Sequence, residues 1–147
     1  MVKDFKYPLI LCILLVVVIG LNYYCFGNFL YDCGREFLVP DLINQGLIPI
    51  KEIFLTYFPL SYQINALLFK IFGSNLDVLR IAGTFSSLIT AIFIYFCARE
   101  FLPPKKSFIL TLITTFITMF NVSYLYNYVM GYSYAFIYGT AAFFVST

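Results

Sequence analysis

Charged residues are concentrated in one segment of this chain, from about residue 27 to residue 80. The segment places carboxylates within a few positions of cations, and this combination can transfer protons and bind an anionic group. A loop is also charged simply because it is solvated, so this second interpretation stays open. The ionisable residues of the segment are Asp32, Arg35, Glu36, Asp41, Lys51, Glu52, Lys70, Asp77 and Arg80.

Asp32 is the best candidate for general base catalysis. It follows a long apolar run, so we expect its carboxylate at a membrane surface, where partial desolvation makes a carboxylate a stronger base. Glu36 comes one helical turn later, and both acids would share a helix face. Two structural roles are the alternatives: Asp32 as a helix N-cap, and a simple ion pair of Arg35 with either acid. Pro40 and Gly46 then divide the segment into short helical pieces.

Lys51 and Arg80 are cations able to bind a phosphate headgroup. Ordinary anchoring at the lipid interface is the alternative for both. The chain contains no histidine, which excludes a histidine-based metal site or general base. The four cysteines match no zinc or haem spacing, and we expect them to be small buried hydrophobes.

Composition indicates the elements that must position these residues. Hydrophobic residues make up 62% of the 147-residue chain and charged residues only 11%. Soluble domains carry roughly 45–50% apolar and about 25% charged residues. A single domain cannot bury so much apolar surface, so we predict an integral membrane protein. The net charge of +2 is too small to indicate a nucleic-acid partner.

The apolar runs predict an all-α integral membrane protein, a helical bundle with about four transmembrane helices. The predicted spans are residues 7–31, 81–98, 107–120 and about 134–147. The last run is short, so we expect residues 1–147 to be one transmembrane domain at the N-terminal part of a longer protein. A short re-entrant end is the alternative. A belt of polar and aromatic residues separates the last two runs, at residues 121–134.

Residues 53–69 are predicted to form a short juxtamembrane helix in the outer loop, which either lies in the membrane interface or packs on the bundle. From Leu60 onwards the apolar residues share one face, which Ser61 and Asn65 do not. With this segment outside the bilayer, the N-terminal lysines and Lys105–Lys106 fall on the same, cytoplasmic side. We therefore expect a multi-pass protein of a cell membrane, bacterial inner membrane by preference, with a cytoplasmic N-terminus.

Four short motifs follow one another along residues 27–80. They are Asp32 after the first apolar run; Gly46 and Pro49 before Glu52; Pro59-Leu60 with Tyr62 at the start of a helical segment; and Phe72-Gly73 before Arg80. Their order and spacing resemble the GT-C glycosyltransferases that use polyprenyl-phosphate sugars, in particular the protein-mannosyltransferase and aminoarabinose-transferase types. The resemblance covers most of the chain but only the N-terminal part of such an enzyme.

The resemblance implies an inverting sugar transfer on the outer face of the membrane. Asp32 would activate the acceptor hydroxyl, and the lipid phosphate would leave, steadied by basic residues or a divalent metal. The expected partners are a polyprenyl-phosphate sugar donor and the bilayer. The residues expected to bind the substrates are Arg35, Glu36, Lys51, Glu52, Tyr62 and Arg80.

Two other functions are the alternatives. A non-catalytic membrane subunit, or a degenerate copy of a transferase, would use the same helices to pack on a partner membrane protein. A transporter would carry ionisable groups within its spans. The predicted spans contain none, so transport ranks last.

Overall fold

The structure is a computed structural model that describes residues 6–22, 32–55, 57–119 and 133–146. These residues form six helices, and their only β-type pairing is an isolated bridge between Pro49 and Ile53. The prediction of an all-α fold is thus confirmed for this part of the chain. The helices are α1 (Lys6–Leu21), α2 (Asp32–Asn44), α3 (Pro59–Phe72), α4 (Leu76–Arg99), α5 (Pro104–Met119) and α6 (Tyr134–Ser146).

Local sequence signals determine several of the helix ends. Pro59 begins α3 at a position where the first turn needs no backbone N–H. Gly73 ends it with a positive φ of 89°, which a side chain would disfavour. Asn75 caps α4 by accepting a hydrogen bond from the backbone N–H of Asp77 at 3.0 Å. Gly46 follows the end of α2 as expected, with φ 97°, but Pro40 lies inside α2 and does not end it.

Helix α4 is the centre of the bundle and packs against α1, α3, α5 and α6. One core cluster joins it to α1, through Ala91 and Tyr95 on α4 and Leu11, Leu15 and Ile19 on α1. With 24 residues, α4 is about 36 Å long and is the one helix among the described residues that is long and apolar enough to cross a bilayer core of about 30 Å. It begins at Leu76, earlier than the predicted start at residue 81.

The other predicted spans are shorter or incomplete in the described part of the chain. Helix α1 has 16 residues, which corresponds to about 24 Å. The rest of the predicted span 7–31 lies outside the described residues, apart from Asn22. Most of the predicted belt at 121–134 also lies outside them. Helices α5 and α6 coincide with the two last predicted runs.

Two contacts establish the relative directions of the long helices. The ring of Tyr7, at the start of α1, packs on Phe108 in the second turn of α5, with ring centroids 5.6 Å apart. Tyr134, the first residue of α6, donates its hydroxyl to the carbonyl oxygen of Leu79 near the start of α4, at 2.6 Å. Helices α1 and α5 therefore start at one end of the bundle, and α4 and α6 start at the other.

On α5 and α3 the distribution of side chains is inverted relative to helices of a water-soluble bundle. On α5, Ser107, Thr111 and Thr115 recur every fourth residue and are buried, at 0%, 0% and 5% exposure. Ile113 and Ile117 on the opposite face are more than half exposed. Helix α3 follows the same rule, because its polar face is buried while its predicted apolar face, with Leu60 and Leu67, is exposed. Helices that face lipid show this pattern.

Candidate functional site

A group of polar and aromatic side chains lies between α2, α3 and α6, at the end of the bundle where α4 and α6 begin. We call it the polar cluster. Helix α2 packs on α3, and α3 packs on α6. Asn44 strengthens the first contact by donating its side-chain amide to the carbonyl oxygen of Ala66 at 2.9 Å. The cluster consists of Arg35, Glu36, Tyr57, Tyr62, Asn65 and Tyr138.

A carboxylate and a guanidinium form the centre of the polar cluster. Arg35 Nη2 lies 3.9 Å from Glu36 Oε1. Glu36 is 1% exposed, whereas the Arg35 side chain is 24% exposed, so Arg35 is the partner that solvent reaches. The Arg35 guanidinium also lies over the ring of Tyr57, 5.1 Å from its centroid. Glu36 and Tyr57 together restrict the position of this cation.

The helix itself favours a polar environment at Glu36. Pro40 lies four residues later and has no N–H, so the backbone carbonyl of Glu36 receives no helical hydrogen bond from that position. Glu36 thus has two kinds of hydrogen-bond acceptor, its side-chain carboxylate and its backbone carbonyl oxygen, that the backbone hydrogen bonds of the helix do not satisfy. A buried carboxylate is retained in a fold only when neighbouring donors or cations stabilise it.

Tyr62 lies on α3 facing this carboxylate. Its side chain is fully buried. Burial and the negative charge of Glu36 raise the pKa of Tyr62 to about 12, although the positive charge of Arg35 acts in the opposite direction. The hydroxyl therefore keeps its proton at neutral pH and remains a hydrogen-bond donor.

Asn65 is one helical turn after Tyr62 on the same face of α3 and is also fully buried. Tyr138 of α6 donates its hydroxyl to Asn65 Oδ1 at 2.5 Å. Glu36 is near enough for its charge to act on that hydroxyl. Among the described residues, no acceptor bonds the Nδ2 of Asn65. The Asn65 side chain therefore has a paired oxygen and an Nδ2 group whose two N–H donors bond none of the described residues.

The structure brings together three of the predicted substrate-binding residues, Arg35, Glu36 and Tyr62. Asp32, the predicted base, is the first residue of α2 and stands one turn before Glu36. Its side chain lies outside the described part of the structure. The helical spacing expected between the two acids is therefore present in the backbone.

The other three predicted residues lie outside the polar cluster. Lys51 and Glu52 are exposed, on a turn where Glu52 Oε2 accepts a hydrogen bond from the backbone N–H of Ile48 at 2.7 Å. The same turn holds Ile50 at a positive φ of 74°. Arg80 is buried on α4 and pairs with Asp77 at 2.9 Å. This ion pair differs from both predicted roles of Arg80, which were phosphate binding and anchoring at the lipid interface.

Sequence reasoning did not find Asn65, Tyr57 and Tyr138 as members of the site. A signal existed for Asn65, because it follows Tyr62 by three positions and shares its helix face. Tyr138 lies 73 positions from Asn65, and nothing in the local sequence indicates that contact.

Within the described ranges, no three cysteine or carboxylate residues lie together to hold a metal ion.

Comparison of the chain with protein-family models, with curated proteins and with solved structures found no match.

Proposed function

We propose that this chain is a multi-pass membrane protein that transfers a sugar from a polyprenyl-phosphate donor to an acceptor hydroxyl on the outer face of the membrane, as GT-C glycosyltransferases do. The observation that carries the proposal is the buried Glu36 carboxylate with Arg35 beside it, one turn from Asp32 at the start of α2. Buried ionisable groups at the end of an apolar bundle are uncommon and concentrate at functional sites.

The charges at the two ends of the bundle support the orientation. Lys6, Arg99, Lys105 and Lys106 lie at the end where α1 and α5 begin. The opposite end carries as many cations, Arg35, Lys51, Lys70 and Arg80, but they are spread over a long segment with five acids. Arg99, Lys105 and Lys106 instead lie together at the short connection between α4 and α5, as is typical of cytoplasmic loops, so we assign this end to the cytoplasm. The polar cluster lies at the opposite end and faces outward, and α3 rests in the interface with its exposed apolar face towards lipid.

The proposed reaction is a displacement at the anomeric carbon of the sugar. The Asp32 carboxylate accepts the proton of the acceptor hydroxyl, and the hydroxyl oxygen forms a bond to the anomeric carbon from the side opposite the phosphate. The bond between that carbon and the phosphate oxygen breaks, and polyprenyl phosphate leaves with the electron pair. The Arg35 guanidinium stabilises the charge on the departing phosphate.

The test is sugar transfer by the native gene product in membranes. Asp32→Asn keeps the size of the side chain and removes its basicity, so we expect transfer to fall by at least about 100-fold. The matched control is Asp41→Asn on the same helix. Asp41 accepts a hydrogen bond from Ser74 at 2.7 Å, and asparagine can still accept it. Retained transfer by folded Asp32→Asn protein would exclude the proposed role of Asp32.

The second candidate function is that of a non-catalytic membrane subunit. Exposed apolar faces on α1, α3, α4 and α5 suit contact with a partner helix as well as with lipid. Absence of transfer by the wild-type protein, together with co-purification of one stoichiometric membrane partner, would favour this function over the enzyme.

A further inference from the structure

Asn65 is a member of the polar cluster whose hydrogen-bonding state points to a ligand. It is fully buried, and leaving an amide donor unsatisfied in such a place is destabilising. Its Nδ2 bonds no acceptor among the described residues. Folds retain such a group when a bound water or a ligand satisfies it.

Tyr138 orients this amide. Its hydroxyl donates to Asn65 Oδ1, which leaves the two N–H bonds of Nδ2 as the part of the amide available to another molecule. The partner must accept a hydrogen bond and must tolerate the nearby Glu36 carboxylate. A hydroxyl group meets both conditions, because its oxygen can accept from Asn65 while its proton is donated to a carboxylate.

Other ligand chemistries fit less well. A phosphate group would be repelled by Glu36, and it finds Arg35 at the solvent-accessible side of the cluster instead. An alkyl chain would leave the amide without a partner. A buried water could also accept from the amide, but the site would then bind a sugar-bearing lipid and a bare lipid equally well. The chemistry of Asn65 therefore selects a neutral, hydroxylated group.

We propose that Asn65 is a sugar-binding residue, which donates Nδ2 to a ring hydroxyl of the donor's sugar, and that Tyr138 is the positioning residue that holds its amide. The inference rests on the proposed function and deepens it, because it separates the site into two parts. Arg35 faces the phosphate at the solvent side, and Asn65 faces the sugar in the interior.

The experiment measures binding rather than turnover. Full-length protein in detergent is titrated with undecaprenyl phosphate and with the same lipid carrying mannose, glucose or aminoarabinose. The quantity of interest is the ratio of the Kd of the bare lipid to the Kd of the best sugar-bearing lipid. We expect wild-type protein to have a ratio well above one.

Three variants test the assignment. Asn65→Leu removes the donor with little change of volume, and we expect it to lower the ratio by about 3–10-fold without changing the Kd of the bare lipid. Tyr138→Phe leaves Nδ2 in place but allows the Asn65 amide to rotate. We therefore expect the Kd ratio to fall less than in Asn65→Leu. Asn44→Ala is the matched control, since it removes another amide hydrogen bond between α2 and α3 and should leave the ratio unchanged.

The outcomes separate this inference from the proposed function. A wild-type ratio near one, or an unchanged ratio in folded Asn65→Leu protein, overturns the sugar-binding role and leaves a buried water as the partner of the amide. If Asn65→Leu does not fold, an unchanged ratio in Tyr138→Phe overturns the positioning role and the inference with it. A ratio that falls as expected while Asp32→Asn retains transfer supports the sugar site and overturns only the catalytic proposal.

Discussion

Tyr138 on α6 donates its hydroxyl to the side-chain oxygen of Asn65 on α3. Both groups belong to helices whose outer faces are apolar, so the hydrogen bond lies on the inner side of the bundle. It joins the last described helix to the α2–α3 pair. The same hydrogen bond thus stabilises the packing of α6 on α3 and forms part of the polar cluster.

Tyr138→Phe should destabilise the protein. The change keeps the aromatic ring and leaves the buried Oδ1 of Asn65 without its donor, which costs about 1–3 kcal/mol. Tyr7→Phe is the control, because the contact of Tyr7 with Phe108 is made by the ring, and we expect little change from it. Denaturant unfolding in detergent measures both. Equal stability of Tyr138→Phe and wild type would show that water replaces the hydroxyl.

Glu36→Ala should be more damaging than any exposed acid-to-alanine change. It removes the carboxylate partner of Arg35 and leaves a gap in the interior; because Arg35 is 24% exposed, we expect a loss of about 1–3 kcal/mol rather than the full cost of a buried unpaired charge. Glu100→Ala, at an exposed position, should change the free energy of unfolding by less than about 0.5 kcal/mol. Comparable unfolding midpoints for the two variants would contradict the structural importance of the pair.

Stability should fall at alkaline pH because of Tyr62. Its folded-state pKa of about 12 lies above the usual value of 10.0, so the folded protein holds this proton more tightly than the unfolded chain does. The stabilisation is complete below the unfolded-state pKa and is lost as the pH rises to the folded-state pKa. Thermal unfolding of Tyr62→Phe between about pH 9 and pH 12 should decline less steeply than that of wild type. Equal slopes of thermal stability against pH for wild type and Tyr62→Phe would argue against a raised pKa of Tyr62.

Thr111→Val should be neutral or slightly stabilising. Thr111 is fully buried on α5, and its hydroxyl bonds none of the described residues. Valine has the same shape without the buried polar atom, so nothing is lost in packing. Thr114→Val is the contrast, because Thr114 donates to the carbonyl oxygen of Leu110 at 2.9 Å. A clear loss of stability in Thr111→Val would reveal a partner for that hydroxyl outside the described ranges.

Membrane orientation can be tested by labelling single cysteines in a background without the native ones. We expect a cysteine at Lys106 to react only after the membrane is permeabilised, and a cysteine at Gln45 to react in intact cells. Both positions are exposed, so accessibility within the protein is matched. Reaction of both from the same side would contradict the proposed topology.

The sequence was sufficient to predict the helices but not the contacts between them. The apolar runs and the proline and glycine punctuation place α3, α4 and α5 within a few residues of where they lie. The sequence left open whether Arg35 pairs with Asp32 or Glu36, and it indicated Tyr62 only through the resemblance to GT-C glycosyltransferases.

The members missed were those that depend on tertiary packing. Tyr138 reaches Asn65 only because α6 packs on α3, and a run of apolar residues does not specify the helix on which it packs. The hydrogen bond of Glu52 to the backbone of Ile48 was also not predicted from the sequence. A carboxylate near a lysine predicts ligand binding and turn capping equally well, and only the distance to the N–H of Ile48 distinguishes them.

The long sequence separation of Asn65 and Tyr138 also determines when their contact can form during synthesis of the chain. Synthesis proceeds at about 5–20 residues per second, so roughly 4–15 s pass between the emergence of the two residues, 73 positions apart. During this interval α2 and α3 have already left the ribosome while the buried amide lacks its donor. The polar cluster is therefore complete only after α6 has been synthesised and has packed on α3.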